Sequence, residues 1–381
     1  MKQSTRTPVR ALRQRLVPQA GSRRPCASAP WRGREGAAPL GIVFWMVALA
    51  LFVLPFLQAP AAPDWDAEDP NRNEETDYPY ADDVASFDEY AIEEDLGLEG
   101  TLAETIATQS EELYGPGSDR LRDSGLVDVT RLASGRKEYE LHCAGCHSLI
   151  GDGAGPAARY LHPRPRNFRK GIYKFKSTSS GERPVRTDLF QTITRGLAGS
   201  AMPEFRLLPE EKRWDLVEYV VYLSLRGEFE EKMVYFAWED DEIPDAMEMS
   251  EIVDTAWSTE RLRPQYPNVA EPARDQASID RGRELFIGQK AACYTCHGNG
   301  GRGDGPSADE YTDDWGYPIR PRDLTAGVFR AGATGKDLWL TIANGIGGSP
   351  MPSYAGALTG EEMWDLVHFV EYLASDENQE N

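Results

Sequence analysis

Two pentapeptides, Cys143-Ala144-Gly145-Cys146-His147 and Cys293-Tyr294-Thr295-Cys296-His297, begin 150 residues apart. C-x-x-C-H is the attachment signature of c-type haem. At that spacing two thiols add to the two vinyl groups of one porphyrin, and the adjoining imidazole becomes an axial ligand of its iron. The motif constrains the fold strongly, because the core of a small domain wrapped round a porphyrin is largely the porphyrin itself. A C-x-x-C pair also suits zinc or thiol redox chemistry. Two copies, each inside a longer repeat, favour the haem reading and predict two covalently attached haem c groups.

The repeat spans residues 129–226 and 276–374. GDGAGPAA (151–158) answers GRGDGPSA (301–308), and PRPRNF (163–168) answers IRPRDL (319–324). Gly171-Ile172-Tyr173 answers Gly327-Val328-Phe329, DLFQTITRG (188–196) answers DLWLTIANG (337–345), and SAMPEF (200–205) answers SPMPSY (349–354). RWDLVEYVVYL (213–223) answers MWDLVHFVEYL (363–373). Each unit reads as three short helices. An opening helix (Thr130–Leu141; Ser278–Phe286) leads into the haem motif. A second follows Thr187 or Thr334 and stops at Gly196 or Gly345, as a helix closed by a left-handed residue does. The last helix places Trp214, Val217 and Val221, or Trp364, Val367, Phe369 and Tyr372, on an apolar stripe read as core. Thr359-Gly360-Glu361-Glu362 is a capping box for that helix; Pro209 fits the first turn of its twin.

The second axial ligand decides what such an iron can do. An electron carrier fills both axial positions, and an enzyme keeps one exchangeable. Met202 and Met351 occupy equivalent positions, 55 and 54 residues after His147 and His297, each followed by Pro. Met202 is the only methionine of its unit, and Met363 stands opposite Arg213, which marks it as a helix-face residue. The expected metal ligands are therefore His147 and Met202 for one iron, His297 and Met351 for the other. His142 is too close to Cys143 to reach round the ring, and His368 lies in the last helix; His162 is the remaining bis-histidine candidate. Pro156 and Pro306 sit where a backbone carbonyl can accept the imidazole Nδ1–H. Arg164, Arg166, Arg320 and Arg322 flank prolines and are candidates to pair with haem propionates; a solvated charged face is the alternative.

The rest of the chain reads as topology and charge. Residues 1–39 form a basic segment with nine Lys/Arg and one Glu, and no charge occurs from Gly36 to Pro63. Leu40–Leu57 is long and apolar enough to span a bilayer, so 40–58 is expected to be a transmembrane anchor with a cytoplasmic N-terminus. Ala59-Pro60-Ala61 offers the alternative of a cleaved signal sequence. Four of the five cysteines lie in the haem motifs, and Cys26 precedes the apolar run, so no disulfide framework is expected. Residues 59–128 form an acidic tether, with 21 acidic and 3 basic side chains over 64–128. Its composition predicts a largely disordered segment with a short helix around Thr101–Leu113. Unit one is net +7 (17 basic, 10 acidic) and the bridge 227–275 net −10; unit two is net −5, and 375–381 is an acidic tail.

CAGCH with Ala201-Met202-Pro203, and CYTCH with Pro350-Met351-Pro352, each closed by an aromatic-rich helix, resemble two class I cytochrome c domains in tandem. The layout is similar to membrane-anchored dihaem cytochromes c of bacterial respiratory chains. The resemblance implies an all-α fold: two cytochrome c domains after one N-terminal transmembrane helix and an acidic tether. It implies His/Met-ligated haems, single-electron transfer rather than enzymatic turnover, and export of the haem domains to the periplasmic side of the inner membrane. Partners expected on this basis are membrane-bound or periplasmic redox proteins docking by charge complementarity, with no nucleic acid and no small-molecule substrate. The alternatives are a fixed cytochrome c subunit of a quinol-oxidising or terminal oxidase complex, and a dihaem peroxidase.

Overall fold

The structure, a computed structural model, describes residues 102–240 and 243–375, which all fall in one compact unit of the chain. The basic N-terminus, the apolar run 40–58, Cys26, the tether up to residue 101 and the tail from 376 lie outside the described residues. Among the described residues no helix is long and apolar enough to cross a membrane.

The described residues are mostly helical and contain no strand; pairing is limited to two isolated bridges, Thr178–Pro264 and Thr312–Pro318. In chain order the helices are α1 (Leu102–Tyr114), α2 (Asp119–Ser124), α3 (Leu132–His142), α4 (Ala144–His147), α5 (Arg186–Arg195), α6 (Glu210–Asp240), α7 (Ala246–Trp257), α8 (Gln276–Ile287), α9 (Tyr294–His297), α10 (Gly335–Asn344) and α11 (Gly360–Leu373). The repeat is structural. The one-turn helices α4 and α9 carry the two haem motifs, and the opening helix of each unit crosses its last, α3 on α6 and α8 on α11. Two separate cores form, one around Tyr139, Val217 and Val221, the other around Phe286, Leu338, Trp364 and Val367. The expected stripe residues sit in them, with Trp214 stacked on Phe190 at 4.2 Å.

Local chemistry sets the boundaries. The Thr359 side chain accepts from Glu362 N at 3.2 Å while Glu362 returns a 2.8 Å bond to Thr359 N, so α11 starts with the expected capping box. Thr334 and Asp337 do the same for α10. Gly196 (φ 63°) and Gly345 (φ 70°) end α5 and α10. Pro209 stands one residue before α6 and accepts from Arg213 N at 3.2 Å.

Two acidic stretches, the tether expected to be largely disordered and the interdomain bridge, are folded where they are described. Residues 102–128 of the expected tether form α1 and α2, and Leu102, Ile106, Tyr114 and Leu121 are fully buried. The bridge expected from 227 onward is instead the second half of α6, continued by α7. It buries Phe229, Met233 and Trp257, each worth about 2 kcal/mol relative to exposure. Several of its acidic residues pair with basic residues of unit one and of the segment before it. Glu228 pairs with Arg183, Glu230 with Arg226 at 3.0 Å and Arg169 at 3.0 Å, and Asp254 with Arg120 at 2.5 Å. Charge runs of opposite sign, separate in sequence, are partners in space.

Candidate haem-binding sites

The two sites are built by the same backbone bonds. Gly153 N donates to His147 O (3.0 Å) and Gly155 N to Cys146 O (3.2 Å); Gly303 and Gly305 do the same to His297 O (2.9 Å) and Cys296 O (3.1 Å). Phe168 N returns to Gly151 O, and Leu324 N to Gly301 O, both at 2.7 Å. The loop after each motif is thereby folded back onto it, and the Arg-Pro-Arg segment arrives beside the imidazole.

That return places the Arg166 carbonyl 3.0 Å from His147 Nδ1 and the Arg322 carbonyl 3.0 Å from His297 Nδ1. A carbonyl only accepts, so each Nδ1 carries the proton and each Nε2 keeps a free lone pair. Burial lowers both histidine pKa values, which keeps the rings neutral, as ligands must be. The acceptors expected from sequence, at Pro156 and Pro306, are not used. Both prolines are exposed, on turns pinned behind the haem motif by Ala157 N to Gly145 O and Ser307 N to Thr295 O.

The methionine loops match as closely. Leu197 N donates to Met202 O and Ile346 N to Met351 O, both at 3.2 Å. Ser200 Oγ and Ser349 Oγ accept from the two methionine N–H groups at 3.2 and 3.4 Å. Gly196 and Gly345 take positive φ with ψ −164° and −167°, not the left-handed helical conformation expected, and let each loop pass under its helix end; a Cβ on Gly345 would lie 2.7 Å from Met351 O.

Around the second motif these elements enclose a cavity of about 410 Å³ lined by Cys293, Cys296, His297 and Met351. Its remaining wall is mainly apolar (Phe286, Leu338, Ile342, Val370), apart from Lys174, Arg320, Arg322 and Arg330; no carboxylate lines it. An apolar slot with thiols, one imidazole lone pair, a thioether and cations suits a flat apolar macrocycle bearing carboxylates. Burial pushes Cys143 up to about 12 and Cys293 up to about 11, the opposite of the lowered values that thiol redox motifs need. The residues present fit haem c.

The remaining candidates are placed as follows. Arg166 stacks over Trp315 at 3.7 Å, and burial pushes it down to about 10. Arg164 is exposed, over Tyr317 at 5.1 Å. Arg320 is exposed and paired with Asp309; Arg322 donates from Nε to Val328 O at 2.9 Å. His162 is exposed. His142 is 3.5 Å from Glu138, with its ring 6.0 Å from Phe205. His368 is buried, its Nδ1 2.6 Å from Ser278 Oγ, and Met363 belongs to the second core. Sequence reasoning passed over Lys174 and Arg330, although their matched positions after Gly171 and Gly327 were a usable signal. It also passed over Phe168, whose ring stacks on His147 at 4.6 Å.

Residues 130–220 match the family of cbb3-type cytochrome c oxidase subunit III, and residues 279–374 match the cytochrome c family. No curated protein sequence matches. Among solved structures the chain is similar to a chain of the Kuenenia stuttgartiensis reducing HAO-like protein complex Kustc0457/Kustc0458. Identity is 34%, the match covers 64% of this chain and 96% of that one, and the TM-score is 0.51. Two cytochrome c domains in tandem, each with its own attachment motif, and this likeness over nearly the whole of a solved chain place the protein in the dihaem cytochromes c.

Proposed function

We propose that the protein moves single electrons between redox proteins through two haem c groups, held by His147 and Met202 in the first domain and His297 and Met351 in the second. The observation that carries this reading is the duplicated methionine loop, tied to its helix end by the same backbone bond in both units. Haem c supplies one-electron exchange between ferric and ferrous iron. The chain's part is positioning. The Arg166 and Arg322 carbonyls fix the tautomer and plane of the imidazoles, and the tethered loops present thioether sulfur. Thioether ligation raises the reduction potential. The apolar walls exclude water. In this reading residues 40–58 hold the protein at the periplasmic face of the membrane, and its partners are redox proteins that dock by charge.

A second reading is favoured by the likeness to a chain of a reducing HAO-like protein complex. There the protein is a fixed subunit that passes electrons to or from a larger partner of that kind. Copurification from native membranes or lysate separates a carrier, recovered alone, from a subunit.

The test of the haem chemistry is an optical and magnetic circular dichroism study of the full chain, oxidised and reduced, with CO and with peroxide. Two low-spin haems with the methionine–ferric band near the red end, inert to both reagents, are expected. A haem that binds CO would overturn the double His/Met assignment and favour turnover at an open iron.

A further inference from the structure

The cavity of the second site is lined by four cations and no carboxylate, and two of those cations lack an adequate partner. Arg330 is half-buried, and its Nε is buried without a hydrogen-bond partner. Burial, and then the neighbouring Arg322, disfavour its charge. Lys174 belongs to the first domain. Its side chain is 13% exposed, and its ammonium stands 4.0 Å from Asp313 Oδ2, beyond hydrogen-bond reach. Burial and the neighbouring Arg166 push it down to about 8. Arg320 and Arg322 are satisfied differently, by Asp309 and by the Val328 carbonyl.

Lys174 and Arg330 are repeat counterparts, in Gly171-Ile172-Tyr173-Lys174 and Gly327-Val328-Phe329-Arg330. Two equivalent cations, one from each domain, thus meet at one cavity. The first-domain segment is held there by backbone bonds. Gly347 N donates to Lys174 O at 3.2 Å and Asn344 Nδ2 to Ser177 O at 3.3 Å, and Phe175 joins the cavity wall. A desolvated cation is costly until an anion with good geometry neutralises it. Nothing in the cavity wall supplies that anion, whereas a porphyrin brings carboxylates.

We infer that Lys174 of the first domain and Arg330 of the second together bind a carboxylate of the haem held by Cys293, Cys296 and His297, so that the second site is built from both domains. The inference rests on the haem reading above. It makes the first domain a determinant of the second haem's potential, because a cation fixed in a low-dielectric site favours the reduced iron.

The test is spectropotentiometry of the full chain, with haem counted by mass and by pyridine haemochrome. Met351→His lowers the potential of the second haem and so identifies its wave. Lys174→Gln is expected to lower the reduced-to-oxidised ratio of that haem about tenfold at fixed potential, ~59 mV, and to move the first haem's wave less. Arg330→Gln shifts the same wave in the same direction, and Lys174→Arg restores it. A two-haem chain whose second wave is unmoved by Lys174→Gln and Arg330→Gln, or moved no more than the first, overturns this inference alone. A chain with fewer than two haems overturns the haem reading and the inference with it.

Discussion

Gly345 has φ 70° and ψ −167°, a region that a residue with a Cβ enters only under strain, and its helix end lies directly against the Met351 loop. Gly345→Ala is expected to cost about 1–3 kcal/mol and to push that loop off its seat. Magnetic circular dichroism checks this: half of the methionine–ferric band is lost, the half from the Met202 site remaining. An undiminished band would mean that the loop tolerates the Cβ. The glycine ends and the methionine loops were legible in the sequence because each depends on residues a few positions apart. The imidazole acceptor was not. Pro156 and Pro306 are near the histidines in the chain, but the carbonyls that arrive come from 19 and 25 residues on, after a loop closure that sequence proximity does not encode.

The helices show the same division. The stripe of Trp214, Val217 and Val221 identified the first half of α6, and the capping box identified the start of α11. What the sequence concealed is that α6 runs on to Asp240. Glu228, Glu230 and Glu231 open the net-negative bridge, to which no helix is assigned from sequence, yet Glu230 is 1% exposed. It accepts from Ser110 Oγ of α1 at 2.6 Å and pairs with both Arg226 and Arg169. It is one polar link between α1 and α6, beside the Arg226–Glu111 pair at 2.7 Å and the Tyr114–Phe229 ring contact at 5.4 Å. Glu230→Ala removes the carboxylate that two buried guanidinium groups share, and such a loss costs about 3–5 kcal/mol. Urea unfolding reads the magnitude. Hydrogen exchange reads the place, with protection falling first in 102–114. A uniform loss of protection across both domains would show that α1 is not an appendage of this link but part of the global core.

At the scale of the molecule, the duplicated sequence announced two domains but said nothing of how they meet, because matching one repeat to the other does not tell which residues face across a seam. Arg166 lies over Trp315, Arg195 is 3.2 Å from Asp337, and the segment around Lys174 is bonded to the loop that carries Met351. The segments that carry the proposed axial ligands are thereby in contact with the other domain. A relay needs this, since two haems on independently tumbling domains would pass an electron only in a fraction of arrangements. Gly347 is a tight point of the seam: a Cβ there would sit 2.2 Å from Tyr173 O, a backbone atom that cannot swing aside. Gly347→Ala overpacks the seam by about 1–3 kcal/mol, and the domains relieve it most readily by separating. Calorimetry of the parent chain is expected to give one transition across both domains and that of the variant two, with both methionine–ferric signals retained. Electron exchange between the haems, followed by photoreduction of the partly reduced chain, is expected to slow in the variant. A single transition that only moves to lower temperature, with exchange unchanged, would mean that the seam yields without opening and that other contacts hold the two haem domains together.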